Sequence, residues 1–496
     1  CMDVYKAKIQ SDATIDKLNL RIVVRGDLQN KEIMGDTWSP TASLRMLKFF
    51  LADAARHKAR VKQLDFIGAF LQAKVKGRIF VQLDSRYAEY FPEYSQYFGC
   101  PLRLLRSMYG MTVSGKLFAD DLTEWLTDVA DFKQSQCQMA VYYKFGEDGL
   151  KLVVLSYVDD CVYWSTSEKL ERWFVDKLGK RFNVNFLGYV HWFMSIRITQ
   201  HKDFSISVDQ SHYCLAIVNK YLANATIPPN DKHHSRTLPN DIVFTKADAS
   251  ENDVIIKDLM REFNIHFRAC IGALIYLTAT RVDISFAVHK LAKFSSKPGC
   301  VHFAVLVHLL RYLRDNTYLG LKYYPCLRDA PVSDLLRSAG LATTNSLMVF
   351  SDSSWQDCPD TGRSTAMYIV FYQGGPVDHA THVPGPVAQS SAESEYNAAC
   401  TAGMALAHFR MLKSELEGKD PDEIPSDPPL IVMDSRSGVD MAKNGKDTKH
   451  TRHIARRYHF VRNGQSEGYH KTVWCEADLQ LADIGTKNVR EDELKP

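Results

Sequence analysis

Lys151 to Ser165 reads KLVVLSYVDDCVYWS, and the fold of the chain turns on this stretch. Two apolar, β-rich runs flank Asp159 and Asp160, which predicts a strand, a tight turn and a returning strand. An Asp-Asp pair alone is ordinary turn chemistry, because Asp tolerates turn geometry. At a hairpin tip beside so much apolar strand, however, two like charges repel unless a cation sits between them. Oxygen-only ligands that share a site with phosphates suit Mg2+.

Working outward, Val61 to Leu71 (VKQLDFIGAFL) ends a short strand at Asp65 before a turn or helix. A single Asp there is usually a helix cap. Phosphoryl transfer by two metal ions, though, needs carboxylates from separate segments to converge, and Asp65 and Asp159 could supply them. Phe70, five residues on, has the apolar character of a core residue. Nearer the start, Leu18 to Gly26 (LNLRIVVRG) reads as a strand with Arg21 and Arg25 on one face. They are either solvated edge charges or a clamp for triphosphate or template. Residues 43–62 follow as an apolar-striped helix. Arg103 to Trp125 predicts a strand or turn leading into an amphipathic helix whose Lys116 could meet phosphate. After the hairpin come a helix over Glu168 to Arg181 and a strand pair over Phe186 to Ile198, turning at Gly188.

Residues 224–258 carry Pro, Asn, Asp, Lys and His with little periodicity and read as a long loop. His233 and His234 within it read as a solvated surface pair. Three apolar-striped helices then occupy 269–280, 284–294 and 302–314. A fresh domain begins near Leu347. Its strand LMVFSD ends at Asp352, and a further strand spans Gly362 to Gln373. A long helix follows from Ser390 with Glu393 in its first turn, and LIVMD ends at Asp434. A closing helix bears Asp483. Lys449 to Arg462 (KHTRHIARRYHFVR) is basic with no acidic residue, so it is either a solvated amphipathic helix or a backbone-tracking surface. Asp360-Thr-Gly spells a protease triplet but lacks the apolar strand that such a site requires.

The bulk composition fits these parts. A chain of 496 residues exceeds one compact core, so two or three domains are expected. A net charge of +3 does not by itself argue for nucleic acid; local clustering matters more. No apolar run is long enough for a membrane span. Eleven cysteines with no CxxC pair predict neither a zinc module nor a disulfide framework, and isolated thiols fit a reducing, intracellular setting. The chain opens at Cys1 in what reads as mid-domain text, so a piece of something longer is expected.

In order, LRIVVRG, QLDFIGAFLQ, MYGM, YVDD, LGYVHWFMSIRI and RACIGALIYLTATRVDISFAVHKLAKF resemble the reverse transcriptase part of a copia-type LTR retrotransposon polyprotein. LLRYLRD, FSDSSW, SSAESEY, VMDS, TRHIARRYHFVR and LQLADIGTK continue the resemblance into the RNase H part. The resemblance implies an α+β fold: a right-hand polymerase with fingers, palm and thumb, followed by an α/β RNase H-like domain with a mixed sheet. Fingers and palm would fill 1–215, a linker plus helical thumb or connection 216–345, and the RNase H-like domain 346–496. It implies polymerase carboxylates at Asp65, Asp159 and Asp160, the first two as direct ligands of two Mg2+, with Mn2+ as an alternative. Phe70 would be the steric gate that excludes a 2′-hydroxyl, and Arg21 and Arg25 would reach the triphosphate. The RNase H set would be Asp352, Glu393, Asp434 and Asp483, all metal ligands, and Arg452, His453, Arg456, Arg457 and Arg462 would track the hybrid. Implied partners are an RNA template, a DNA primer and product, an RNA–DNA hybrid and dNTPs. Integrase, gag and protease would come from elsewhere in the polyprotein. The implied setting is the cytoplasm, in virus-like particles, with a nuclear stage. One departure stands out. Thr112, Val113 and Ser114 replace the family's Lys-Gln-Ala, and Phe118 its Trp, so a glutamine expected to touch nucleotide or template is lost. A decayed element product, or one retaining only RNase H cleavage, is the alternative.

Overall fold

The computed structural model describes residues 2–9, 15–29, 36–75, 77–147, 149–222, 233–240, 242–341, 343–385, 387–444 and 459–488. The chain forms two compact units that are not contiguous in sequence: 1–43 with 61–190, and 44–60 with 191–496. Both mix helix and sheet.

In the first unit, β1 (Met2–Ile9) and β2 (Ile15–Val23) form an antiparallel ribbon. The main strands are β3 (Lys62–Phe66), β6 (Lys133–Gln134), β7 (Val141–Phe145), β8 (Lys151–Tyr157), β9 (Asp160–Ser165) and β10 (Val184–Tyr189). They pair in the order β10-β3-β9-β8-β7-β6, while β4 (Phe80–Gln82) and β5 (Pro101–Arg103) form a separate ribbon. β8 is buried along Lys151–Ser156 and β9 along Cys161–Trp164. Strands covered on both faces carry continuous apolar runs rather than alternation, which is why this text announces itself. Helices Ser114–Glu124 and Glu168–Arg181 supply Phe118, Leu122, Phe174 and Leu178 to the core against Leu64, Phe66 and Tyr163. Gly188 is not the expected turn. It sits within β10 at φ +78, where the pairing with β3 slips between Phe186 and Gly188. The reversal comes later, at Met194 and Ser195, both at positive φ.

In the second unit, β11 (Trp192–Phe193), β12 (Ile196–Gln200), β13 (Ile206–Asp209) and β14 (Leu321–Tyr323) form one sheet. A second is built from β15 (Leu347–Ser354), β16 (Thr365–Tyr372), β17 (Gly375–His382), β18 (Leu430–Met433) and β19 (Lys471–Trp474), in the order β17-β16-β15-β18-β19. The first three strands of this sheet are antiparallel, and β18 and β19 run parallel to β15. Helices Ser211–Tyr221, Asp253–Phe263, Phe267–Leu277, Ser285–Ala292 and Cys300–Asp315 share a core that includes Ile217, Leu259, Leu274, Leu291 and Leu310. His234 is buried rather than solvated, since its backbone N–H (2.9 Å) and ring Nδ1 (3.1 Å) both meet the Asp315 carboxylate. Asp360-Thr-Gly lies in a turn with Gly362 at φ +62, and Asp360 accepts from the Lys246 N–H.

The helix Leu44–Arg56 belongs to this second unit. Phe49 stacks on Tyr372 at 4.7 Å and on Phe409 at 5.3 Å. The Tyr372 hydroxyl donates to Asp53 (2.7 Å), and Arg56 reaches both Tyr372 (3.1 Å) and Glu417 (2.6 Å). Lys48, fully buried, donates to the Ala279 carbonyl at 2.9 Å. No helix among the described residues is long and apolar enough to cross a membrane.

Candidate active sites: two groups of carboxylates

In the first unit the register of β3 on β9 sets Asp65 directly opposite Asp160. Cross-strand partners share a face with Cβ atoms about 5 Å apart, where like charges repel. Asp159 occupies the turn, exposed, and its carbonyl accepts from the Phe66 N–H at 2.9 Å, which ties the hairpin tip to the segment after Asp65. Val158, preceding it, holds φ at +57, a conformation that β-branched residues rarely adopt. Burial first, then the charges of Asp159 and Asp65, push the Asp160 carboxyl above its ordinary range against an opposing hydrogen bond from Gln63. The shift records like-charged acids brought near one another at the hairpin.

The nucleotide-facing expectations fare unevenly. Phe70, in the short helix Ala69–Gln72, packs edge-on to Tyr109 at 5.5 Å, and the Arg21 guanidinium lies over the same Tyr109 ring at 5.1 Å. Phe70 and Arg21, far apart in sequence, thus both contact Tyr109. Arg25 does not join them. β2 ends at Val23, and Arg25 turns out to Asp27 in a two-pronged pair at 2.8 and 2.6 Å. The strand stops because the chain docks there onto the MYGM turn, with the Val24 N–H donating to the Tyr109 carbonyl at 2.8 Å. The approach is so close that a Cβ on Gly110, at φ +87, would sit 2.2 Å from the Val24 carbonyl oxygen. Lys116 lies 3.5 Å from Asp36 and 3.7 Å from Asp120. Val113 is buried at the start of its helix.

In the second unit, Phe350 pairs with Val432 on parallel β15 and β18, so Asp352 and Asp434 stand side by side two residues further on. The third member of the group is Glu395. Ligand atoms of Asp352, Glu395 and Asp434 all lie within 4.8 Å of one another. Glu393, the expected member, is turned to another task. Its carboxylate accepts from the Gln389 N–H (2.8 Å), and its own N–H donates to the Ser390 hydroxyl (3.2 Å), closing the N-terminus of helix Ser391–Leu416. Two helical residues are about 200° of rotation, so Glu393 and Glu395 cannot serve the same face. The Ser353 N–H donates to Glu395 Oε1 at 3.2 Å, and Ser353 and Ser394 hydroxyls meet at 2.5 Å, locking helix to strand.

Asp483, on the 3-10 turn Leu481–Gly485 rather than the expected helix, completes the surroundings. Burial first, then the charge of Asp352, raises its carboxyl to about 7. Burial, Asp352 and Asp434 push Glu395 to about 10, and burial and Asp352 raise Asp434. Thr486 donates its hydroxyl to Asp352. Among the described residues, two buried carboxylate oxygens here, Glu395 Oε2 and Asp483 Oδ1, have no hydrogen-bond partner. Buried acceptors are rarely left so. Orphaned oxygens, raised carboxyls and a 4.8 Å donor set are what a hard cation would satisfy. Of the basic run, Arg452, His453, Arg456 and Arg457 lie outside the described residues, while Arg462 is half-buried on helix Phe460–Glu467.

Fold and sites together define a mixed α and β protein with one carboxylate group at a β-hairpin and another at the end of a mixed sheet. Residues 2–229 match the reverse transcriptase (RNA-dependent DNA polymerase) family, and over nearly its whole length the chain is similar to copia-type retrotransposon Pol polyproteins. It is 25% identical over 499 residues to the retrovirus-related Pol polyprotein from transposon RE2 of Arabidopsis thaliana, covering 98% of this chain and 31% of that protein. It is 23% identical over 507 residues to the corresponding polyprotein from transposon TNT 1-94 of Nicotiana tabacum, covering 100% of this chain and 35% of that protein. The chain thus spans about a third of the length of these relatives. Among solved structures, prototype foamy virus protease-reverse transcriptase aligns over 96% of this chain and 50% of its own at 12% identity, with a TM-score of 0.23.

Proposed function

We propose that the chain is an RNA-directed DNA polymerase joined to a ribonuclease H, copying retrotransposon RNA into DNA and degrading the RNA of the resulting hybrid. The observation that carries this reading is Asp65 facing Asp160 across β3 and β9 inside the matched reverse transcriptase segment. Residues 1–215 would act as fingers and palm, 216–345 as linker and thumb or connection, and 346–496 as the RNase H-like domain. Asp65 and Asp159, supported by Asp160, would hold Mg2+ at the first site. Asp352, Glu395, Asp434 and Asp483 would hold it at the second, Glu395 taking the role first expected of Glu393. Bound divalent ions supply Lewis acidity, lowering the pKa of the attacking hydroxyl or water and stabilising the leaving oxygen. The protein's own part is placement. Phe70, braced by Tyr109, would wall the sugar position against a 2′-hydroxyl, and Arg21, over the same ring, would reach the triphosphate. Arg25, engaged by Asp27, would have to leave that pair to contribute. Substrates would be an RNA or DNA template, a primer and dNTPs, in cytoplasmic particles with a nuclear stage. A second reading, hybrid cleavage without polymerisation, is favoured by Val113, whose buried apolar side chain cannot make the polar contact of the family's glutamine.

The deciding experiment is primer extension on an RNA template with Mg2+ and dNTPs, run beside cleavage of a labelled RNA–DNA hybrid. Extension should vanish in Asp159→Asn and cleavage in Asp434→Asn, each leaving the other activity standing. Cleavage alone in the parent protein would select the second reading. Silence in both assays would mark a decayed element.

A further inference from the structure

Among the described residues, Lys487 is a cation beside the four acids of the second site with no assigned role. Lys487 is tied to Asp483 at both ends: its backbone N–H donates to the Asp483 carbonyl at 2.8 Å, and its Nζ donates to Asp483 Oδ2 at 2.8 Å. Its neighbour Thr486 donates to Asp352, so the segment carrying the lysine is pinned across the site. The reach of its charge is wider than this pair, since it acts on Asp352, Asp434 and Glu395 as well. The lysine holds only one of the two Asp483 oxygens; Oδ1 is buried without a hydrogen-bond partner. Its side chain is 51% exposed, while that of Asp483 is 21% exposed.

We propose that Lys487 is a built-in counter-cation of this site: it occupies Asp483 in the metal-free protein and is displaced from it by a divalent ion. The proposal rests on the metal-centre reading above. Even with Glu395 protonated, the remaining carboxylates carry more negative charge than one ammonium can offset, so the lysine moderates their repulsion without abolishing it. Divalent ions neutralise the same carboxylates more completely, after which the ammonium competes for Asp483 instead of assisting it. A half-exposed, flexible stem lets the ammonium exchange Asp483 for water without disturbing the fold. Lys487 is thus a positioning residue that sets how much metal the site needs.

The test is thermal melting of the full chain in an Asp159→Asn background, which removes a ligand of the other acidic site, titrated from EDTA to saturating MgCl2. Without metal, Lys487→Met should melt below the parent. That gap should close as Mg2+ rises, with the half-maximal shift reached at several-fold lower Mg2+ than in the parent. Lys487→Arg, which keeps the charge, should behave like the parent, and Asp434→Asn should abolish the Mg2+ response. A gap that stays constant throughout the titration would reduce Lys487 to a packing role and overturn the proposal. So would a Lys487→Met variant that needs more Mg2+, since the lysine would then be assisting the ion. A parent protein with no Mg2+ response at all would instead sink the metal-centre reading itself, and the proposal with it.

Discussion

Glu393 and Glu395 separate two jobs that the string SSAESEY leaves fused. Ser390 followed three residues later by Glu393 is a capping-box spacing, and the structure makes its Ser390 half, with the Glu393 carboxylate reaching one residue further back to the Gln389 N–H. The resemblance implies Glu393 for the acidic set, while the structure brings Glu395 to Asp352 and Asp434. Helical periodicity distinguishes the faces of 393 and 395, but only the packing against β15 decides which face carries the site. Opposite outcomes follow for the two. Glu395→Gln should lower hybrid cleavage by roughly 100-fold or more, as for lost electrostatic groups in other active sites. It should also raise the metal-free melting temperature, because a buried carboxyl pushed to about 10 is replaced by a neutral amide. Glu393→Gln should leave cleavage within a few-fold and cost about 0.5–2 kcal/mol at most, the range of a weakened helix cap. Cleavage assays and chemical denaturation on the pair would settle it, and equal losses of cleavage in both would refute the split.

At the scale of elements, the sequence was most readable where burial is two-sided or a cap is local. The hairpin β8–β9 and the helix Glu168–Arg181, capped by the Ser167 hydroxyl, fall where the text put them. Gly188 was misread because a glycine between two apolar runs fits either a turn or a bulge, and only pairing with β3 distinguishes them. The helix Leu44–Arg56 shows a deeper limit. Its apolar stripe predicts that a face is buried, but nothing local says against what. The answer lies 319 positions away, where Tyr372 donates to Asp53. Phe49, sandwiched by Tyr372 and Phe409, is the point at which that distant packing can be tested. Phe49→Ala should destabilise the second unit by about 3–5 kcal/mol, the usual cost of emptying an aromatic site. Hybrid cleavage should fall in step with the folded fraction, measured by denaturant titration followed through the RNase H assay. A loss below about 1 kcal/mol would mean that the helix is dispensable there.

For the chain as a whole, pH should act through two sets of buried groups with opposite signs. Burial drives His289 and His470 down to about 4 and His379 to about 3. Below pH 6.5 the unfolded chain takes up protons that these folded imidazoles refuse, so stability falls as pH drops from there towards 3–4. The acids work the other way. Asp483, raised to about 7, and Glu395, raised to about 10, keep protons in the fold that the unfolded chain has already released. Metal-free stability therefore declines as pH climbs from the ordinary carboxyl range through 7 and onward to about 10. Mg2+ requires the ionised carboxylates, so it should lift this second limb and leave the histidine limb alone. Melting curves from about pH 5 to 8.5, with EDTA and with Mg2+, should show a metal-dependent gap that widens with pH. In an Asp159→Asn background, Asp434→Asn should flatten that gap without moving the acid limb. A gap of constant size across the range would mean that the ion binds somewhere other than these buried acids.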